Sequence, residues 1–175
     1  FQEGLSSAYQ RYQAKELDLT WIPVEQIPHI QKNTPNALIV VPRLTTEFYT
    51  FNVAKPPFDN EKVRKALYLT LDRPLIAEHI IGLRKPAATL TPPEVDDFSA
   101  PNIAELNRPL TDRVKQAKKL LNDAGYNKKH PLQFEIFYNK YATHEKVALA
   151  LASEWKKQLG ADVKLRTMEW KTYLG

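Results

Sequence analysis

The feature that most constrains the fold is a run of residues, 51–76, in which prolines stand at both ends of a helical pattern. The run reads FNVAKPPFDNEKVRKALYLTLDRPLI, with Pro56 and Pro57 after an aromatic segment and Pro74 after an amphipathic repeat. Proline cannot donate to a strand ladder, so a strand before it must end there. The Asp-Asn pair then caps a helix, and Pro74 suits the first position of another. The run therefore predicts a strand, a sharp corner and two helices that meet at an angle.

The hydrophobic pattern of the whole chain alternates between helical and strand spacing. Helices are expected at 6–15, 23–27, 61–71, 75–81, 112–124 and 143–159, and strands at 17–22, 37–41, 46–53, 132–138 and 161–166. The continuous apolar run at 37–41 is typical of a strand buried on both faces. Residues 83–110 carry five prolines without a clear period, which indicates a loop. This alternation predicts an α/β fold with a mixed sheet and flanking helices.

Several kinds of chemistry find no support in the sequence. There is no cysteine, which excludes disulfides, thiolate metal sites and cysteine nucleophiles. The five glycines are too far apart for a phosphate-binding loop, and the four histidines are too far apart for a local metal motif. A metal site assembled from distant residues stays open. Because no carboxylate pair stands in a recognisable acid–base context, we expect no enzyme, no metal and no cofactor.

The charge of the chain leaves one alternative function open. Lysine and arginine number 25 against 20 aspartate and glutamate, and no run of basic residues exceeds two, so a mixed solvated surface is favoured. Basic and aromatic residues interleave near the third predicted strand, as they do on platforms for single-stranded nucleic acid. These residues are Arg43, Phe48, Tyr49, Phe51 and Lys55. An aromatic strand that fills a core is the better interpretation, and nucleic-acid binding is kept as the alternative.

We also expect the chain to be an internal piece of a longer protein. It starts with Phe1 rather than an initiator methionine, and no charged segment followed by an apolar run marks a secretion signal. It ends inside an apparent helix start that begins at Glu169.

Several motifs, in one order, resemble the extracellular solute-binding proteins (family 5) that serve peptide ABC importers, in particular those that bind oligopeptides. The first is the run at 51–76, with its Pro-Pro-Phe and Asp-Arg. The others are RYQAKELDLTWIPVEQIPHIQK, TPPE at 91–94, AKKLLNDAGY at 117–126 and the stretch from Leu132 onward. Each motif alone is weak, but together they cover nearly the whole chain.

The resemblance implies a periplasmic-binding-protein-like lobe, and a parent protein with two lobes that close on an extended peptide. Residues 1–43 would be the end of the first lobe and 44–175 most of the second. The parent would be a periplasmic monomer that delivers peptide to a membrane permease, with no nucleic acid as partner. Relatives that carry dipeptides, nickel, haem or antimicrobial peptides remain as alternatives.

The resemblance also assigns four ligand-binding residues. His144 lies at a family position that meets the carboxylate of longer peptides, and Trp170 at that of a tryptophan that lines a pocket. Phe48 stands where the family often has a pocket tyrosine, and Arg43 stands where a tyrosine is common, which leaves its role open. Without the resemblance, the pattern favours a histidine near a helix cap and a tryptophan in the core.

Overall fold

The computed structural model describes residues 4–41 and 43–173, and the chain divides into two compact units, 1–42 and 43–175. The first unit contains helix α1 (Leu5–Gln13), a 3-10 turn (Val24–Gln26), helix α2 (Ile27–Asn33) and a second 3-10 turn (Pro35–Ala37). Tyr9 and Ile30 are its buried large side chains among the described residues. The helix predicted at 6–15 is thus present, and the short helix predicted from residue 23 extends to Asn33.

The second unit contains the remaining elements. They are α3 (Glu61–Leu69), a π-helix (Leu75–Ile81), a 3-10 turn (Ala104–Asn107), α4 (Leu110–Asp123), β1 (Gln133–Asn139), α5 (Ala142–Leu159), β2 (Asp162–Met168) and α6 (Trp170–Tyr173). Every helix predicted after residue 60 is therefore present, and residues 83–103 form no regular element. No helix in the described part of the chain is long and apolar enough to cross a bilayer.

The sheet of the described residues is one parallel pair, in which Gln133 lies opposite Asp162 and Asn139 opposite Met168. Helix α5 connects the two strands and packs on both, as a crossover between parallel strands requires. Along β1, Ile136 and Tyr138 are buried and Phe134 is half-buried, while Gln133, Glu135 and Phe137 are exposed, so one face of the strand meets the core. The α/β class is as predicted, with a parallel pair in place of a mixed sheet.

The core of the second unit lies between α3, α4, α5 and the inner face of the sheet. Trp155 of α5 is 4% exposed, and its indole N–H donates to the Leu67 carbonyl of α3 at 3.0 Å. A row of ring contacts runs from the proline corner into this core, with centroid distances of 4.9, 5.2 and 5.5 Å. The rings belong to Phe51, Phe58, Phe134 and Trp155. The aromatic segment before the corner is therefore attached to the core by its side chains.

The corner and helix junction predicted at 51–76 are confirmed in detail. The peptide bond between Pro56 and Pro57 is cis. The Asn60 side chain accepts the Lys62 N–H at 2.9 Å and caps α3. Asp72 accepts the Leu75 N–H at 3.1 Å, at the start of the π-helix.

Two arginines hold the end of α3 at this junction. Arg73 lies over the Tyr68 ring at 4.2 Å and donates to the Tyr68 carbonyl at 3.2 Å. Burial lowers the pKa of Arg73, Tyr68 acts to raise it, and the charge of Arg113 lowers it further. Buried Arg113 donates to the carbonyls of Leu69 and Leu71 at 2.8 and 3.2 Å. These bonds satisfy carbonyls that the last turn of a helix leaves without partners.

The strands predicted at 17–22, 37–41 and 46–53 are wrong, since no strand forms there in the described residues. Ile39 is 72% exposed, so the burial expected of the strand at 37–41 is wrong as well, and Leu19 and Trp21 are each 76% exposed. The physical reason is that a strand needs a neighbour to take its hydrogen bonds, and among the described residues none pairs with these segments.

Candidate functional site

The candidate site lies where the two parallel strands end. Asn139 ends β1 and Met168 ends β2, and the Lys140 N–H donates to the Met168 carbonyl at 2.8 Å, one residue past β1. Helix α5 begins just after β1, and α6 begins just after β2. In open α/β sheets, ligands bind outside the carboxyl ends of the strands. This edge of the sheet is therefore the first place to look for a binding surface, and it is called the carboxyl edge below.

His144 lies at the carboxyl edge, in the first turn of α5. Its Nδ1 is 2.5 Å from the side-chain oxygen of Asn139, and its Nε2 is 3.6 Å from a carboxylate oxygen of Glu47. The ring of Tyr141 meets the imidazole edge-on, with 5.0 Å between centroids. The His144 side chain is 34% exposed. Contacts at both ring nitrogens therefore fix the orientation of the imidazole, which still reaches the surface.

The segment that contains Glu47 is attached to the same helix turn. The Tyr49 hydroxyl donates to the His144 carbonyl at 3.5 Å, and the Tyr49 ring packs against the core. Glu47 and Tyr49 both contact the first turn of α5, Glu47 at the His144 side chain and Tyr49 at the His144 carbonyl. Phe48, which lies between them in sequence, is 57% exposed. This segment thus brings a carboxylate and a hydroxyl to α5 and leaves an aromatic ring largely exposed.

Trp170 lies at the start of α6, two residues after β2 ends. Its side chain is 55% exposed, and α6 contacts β1. The residue before it, Glu169, forms an ion pair with Lys140 at 3.4 Å, which joins the two strand ends. The expectation that Trp170 fills the core is not met, and the residue instead presents an aromatic surface at the carboxyl edge.

The structure places three of the four predicted residues at or beside the carboxyl edge. His144 and Trp170 follow the ends of adjacent strands, and Phe48 adjoins the carboxylate that faces His144. Arg43 is exposed, and the bond that involves it is between its carbonyl and the Thr45 N–H, at 2.8 Å. It is therefore not part of this cluster. None of the three is enclosed within the core.

Two polar residues of the cluster were missed by the sequence reasoning. Asn139 stands between a strand and a helix start, which is a usual position for a functional polar residue, so a signal for it exists. Glu47 gave no signal, because its contact with His144 depends on how distant segments pack. The geometry also fails to favour the nucleic-acid alternative, since Tyr49 and Phe51 are half-buried against the core rather than displayed as a platform.

Two shallow cavities lie elsewhere on the second unit. One, of about 390 Å³, has Phe51, Tyr68 and Ile103 among its lining residues, with an ion pair of 2.9 Å between Lys65 and Glu105 at its side. The hydrogen bond from Lys65 lowers the pKa of Glu105. The other, of about 320 Å³, adjoins the proline corner. Among the described residues, no group of three histidine, aspartate or glutamate side chains is placed to hold a metal ion.

These features define an α/β unit with an aromatic and polar edge beyond its strands. The sequence model of the bacterial extracellular solute-binding proteins, family 5 middle, matches residues 4–175. The chain belongs to this family, as its motifs predicted.

Three relatives show how the similarity is distributed. The chain is 61% identical to the probable deoxycholate-binding periplasmic protein YgiS of Escherichia coli, over 96% of this chain and 31% of the relative. It is 40% identical to the periplasmic oligopeptide-binding protein OppA of Haemophilus influenzae, over 98% and 33%. The open, unliganded structure of the murein tripeptide-binding protein MppA matches 97% of this chain and 33% of that one, with a TM-score of 0.84 and 39% identity.

The likeness to that structure confirms the predicted lobe fold. The chain spans about a third of the length of these relatives, which supports the expectation that it is a piece of a longer protein.

Proposed function

We propose that the chain is part of the ligand-binding component of an ABC importer, which captures peptides between two lobes and delivers them to a membrane permease. Residues 1–43 would end the first lobe and 44–175 would form most of the second, and the parent would act as a periplasmic monomer without catalysis. The family match over residues 4–175 supports this, together with the names of relatives that bind oligopeptides or murein peptides. The carrying observation is a half-exposed His144 at the carboxyl edge, oriented by Asn139.

The arrangement suits the capture of an extended ligand with a carboxylate. In its protonated form, the half-exposed His144 ring donates its Nδ1–H to the Asn139 side-chain oxygen and offers its Nε2–H to an anionic group. Phe48 and Trp170 offer exposed rings to apolar parts of the ligand. Backbone hydrogen bonds to a peptide main chain would add affinity without demanding given side chains, and ordered water would satisfy the rest. Closure of two lobes would then exclude bulk solvent.

A second candidate ligand is deoxycholate, which is a steroid with one carboxylate. The specific observation is 61% identity to a probable deoxycholate-binding protein, against 40% to oligopeptide-binding relatives. Phe48 and Trp170 suit an apolar body as well as they suit peptide side chains, because both expose more than half of their surface. Both ligands place a carboxylate beside an apolar surface, so His144 has the same role in either case.

Calorimetric titration of the whole parent protein with tri- to pentapeptides and with deoxycholate tests both candidates. Heat of binding with peptides supports the proposal. Heat with deoxycholate alone supports deoxycholate as the ligand instead, and no heat with either ligand rejects both candidates. The variant His144→Ala is expected to weaken binding of the active ligand about tenfold, since a hydrogen bond to a charged group is lost. His79→Ala, at an exposed histidine of the π-helix, is the matched control and should bind as the wild type does.

A further inference from the structure

Both nitrogens of the His144 ring already have neighbours within the protein. Its Nδ1 and Nε2 each face an oxygen, from Asn139 at 2.5 Å and Glu47 at 3.6 Å. The Asn139 contact is short and local, since the two residues are five apart, and it fixes the direction of the ring. The Nε2 side, which is the one left for a ligand, is therefore already faced by a carboxylate of the protein itself.

The contact between Glu47 and His144 is of a kind that a ligand can displace. The distance of 3.6 Å is beyond that of a good hydrogen bond, and the two side chains are 40% and 34% exposed. Exposed ion pairs of this type are weak, because water screens them and long side chains lose freedom in forming them. The carboxylate of Glu47 is also the group that a second anion at the same nitrogen would meet, with repulsion between like charges.

The backbone around Glu47 nevertheless keeps it close to that position. Tyr49, two residues later, donates to the His144 carbonyl and packs against the core. Because only one residue separates Tyr49 from Glu47, this contact keeps Glu47 close to the first turn of α5. Glu47 is thus supplied by a segment far away in sequence and held beside the imidazole without being buried.

We propose that Glu47 is a specificity-determining residue that occupies the Nε2 side of His144 until the anionic group of a ligand takes its place. The proposal rests on the proposed function, in that the ligand carries a carboxylate. Because Glu47 must turn away or share the nitrogen, it weakens the binding of carboxylate-ended ligands relative to ligands with a neutral end. The site then selects against simple anions and accepts a carboxylate only when other contacts of the ligand compensate.

The first experiment compares trialanine with trialanine amide as ligands of the whole parent protein. In the variant Glu47→Gln, affinity for trialanine should rise about three- to fivefold while affinity for the amide changes less than twofold, in keeping with the loss of a weak repulsion. Glu145→Gln is the matched control, since it removes the same charge one residue from His144 on an exposed position that the structure does not pair with the ring. Equal changes for the two ligands, or equal changes in the two variants, overturn the proposal.

A second experiment separates this proposal from the proposed function. Acetate is titrated into the 175-residue chain, labelled at histidine, and the Nε2 resonance of His144 is followed by NMR against chloride at equal ionic strength. Acetate should shift this resonance more in Glu47→Gln than in the wild type or Glu145→Gln. The same shift in all three overturns the role of Glu47. If neither peptide binds, the peptide function fails, and the acetate titration still decides the proposal.

Discussion

Two regions of the molecule are rich in apolar side chains, but one region buries them and the other leaves them exposed. In the helices and strands between residues 61 and 168, Trp155 is 4% exposed and Val63 and Leu67 are fully buried. In residues 17–53, Trp21 is 76% exposed and Ile39 is 72% exposed. The difference shows that an apolar pattern produces burial only where the chain also supplies the surface that covers it. The first region does so with a helix that joins two parallel strands.

The same comparison explains why two predicted strands formed and three did not. Strands β1 and β2 are partners of each other, and α5 covers the inner face of both. The segments 17–22, 37–41 and 46–53 have strand composition but no partner strand in the described part of the chain. The relatives are about three times as long, so we expect the remainder of the parent protein to supply these partners.

The largest expected effect is a difference in stability between variants of two tryptophans, one from each region. Trp155→Ala should lower the free energy of unfolding by about 3–5 kcal/mol, because it leaves a cavity and removes the bond to the Leu67 carbonyl. Trp21→Ala, the control, should change it by less than about 0.5 kcal/mol, as is usual for exposed positions. Urea unfolding of the 175-residue chain, followed by circular dichroism, measures both. A similar loss in the two variants would contradict the distinction between the regions.

The next effect concerns a buried charge that belongs to the packed region. Arg113→Met should lower the free energy of unfolding by about 2–3 kcal/mol, since buried carbonyls at the end of α3 lose their donor. Arg84→Met, at an exposed position in the loop that follows the π-helix, serves as the control and should change it little. The same denaturation experiment distinguishes them. Equal stabilities would mean that water replaces the Arg113 guanidinium at the carbonyls without cost.

The helices were predictable because their signals are local. Asn60 caps α3, and Gly160 ends α5 in a left-handed conformation, both near the predicted position. The strands were predictable only in part, because pairing depends on distant segments that propensity cannot identify. Within the site, the motif resemblance pointed to His144 and Trp170, and the structure places a half-exposed His144 and an exposed Trp170 at the carboxyl edge. Glu47 could not be found in advance, because its contact with His144 depends on how Tyr49 packs.

A smaller effect is expected at the turn between α5 and β2. Gly160 has a φ of 71°, a left-handed conformation that a side chain disfavours, and no heavy atom lies within 4 Å of an added Cβ. Gly160→Ala should therefore lower the free energy of unfolding by about 1–2 kcal/mol through backbone strain alone. Gly160→Asn is the control, since asparagine adopts the left-handed conformation more readily than alanine and should lose less stability. Equal losses for alanine and asparagine would show that backbone strain in the turn is not the cause.

The smallest effect is a pH dependence at the ion pair between Lys65 and Glu105, which joins α3 to the loop before α4. The hydrogen bond from Lys65 lowers the pKa of Glu105 in the folded chain, whereas the unfolded value is about 4.3. A carboxylate with a lowered pKa stabilises the fold above its unfolded pKa, and this contribution is lost as the pH falls through the folded pKa. Glu105→Gln should thus be slightly less stable than the wild type at pH 7, and the difference should shrink steadily below about pH 4.3.

Urea unfolding from pH 7 down to pH 3 measures this difference, and Lys65→Met with the double variant isolates the coupling between the two side chains. Because both side chains are more than a third exposed, the coupling should be small and should weaken as salt is added. A difference that stays constant as the pH falls would assign the effect of Glu105 to packing rather than charge. Apolar contacts would then hold the loop before α4 against α3, just as ring contacts attach the aromatic segment before the proline corner to the core.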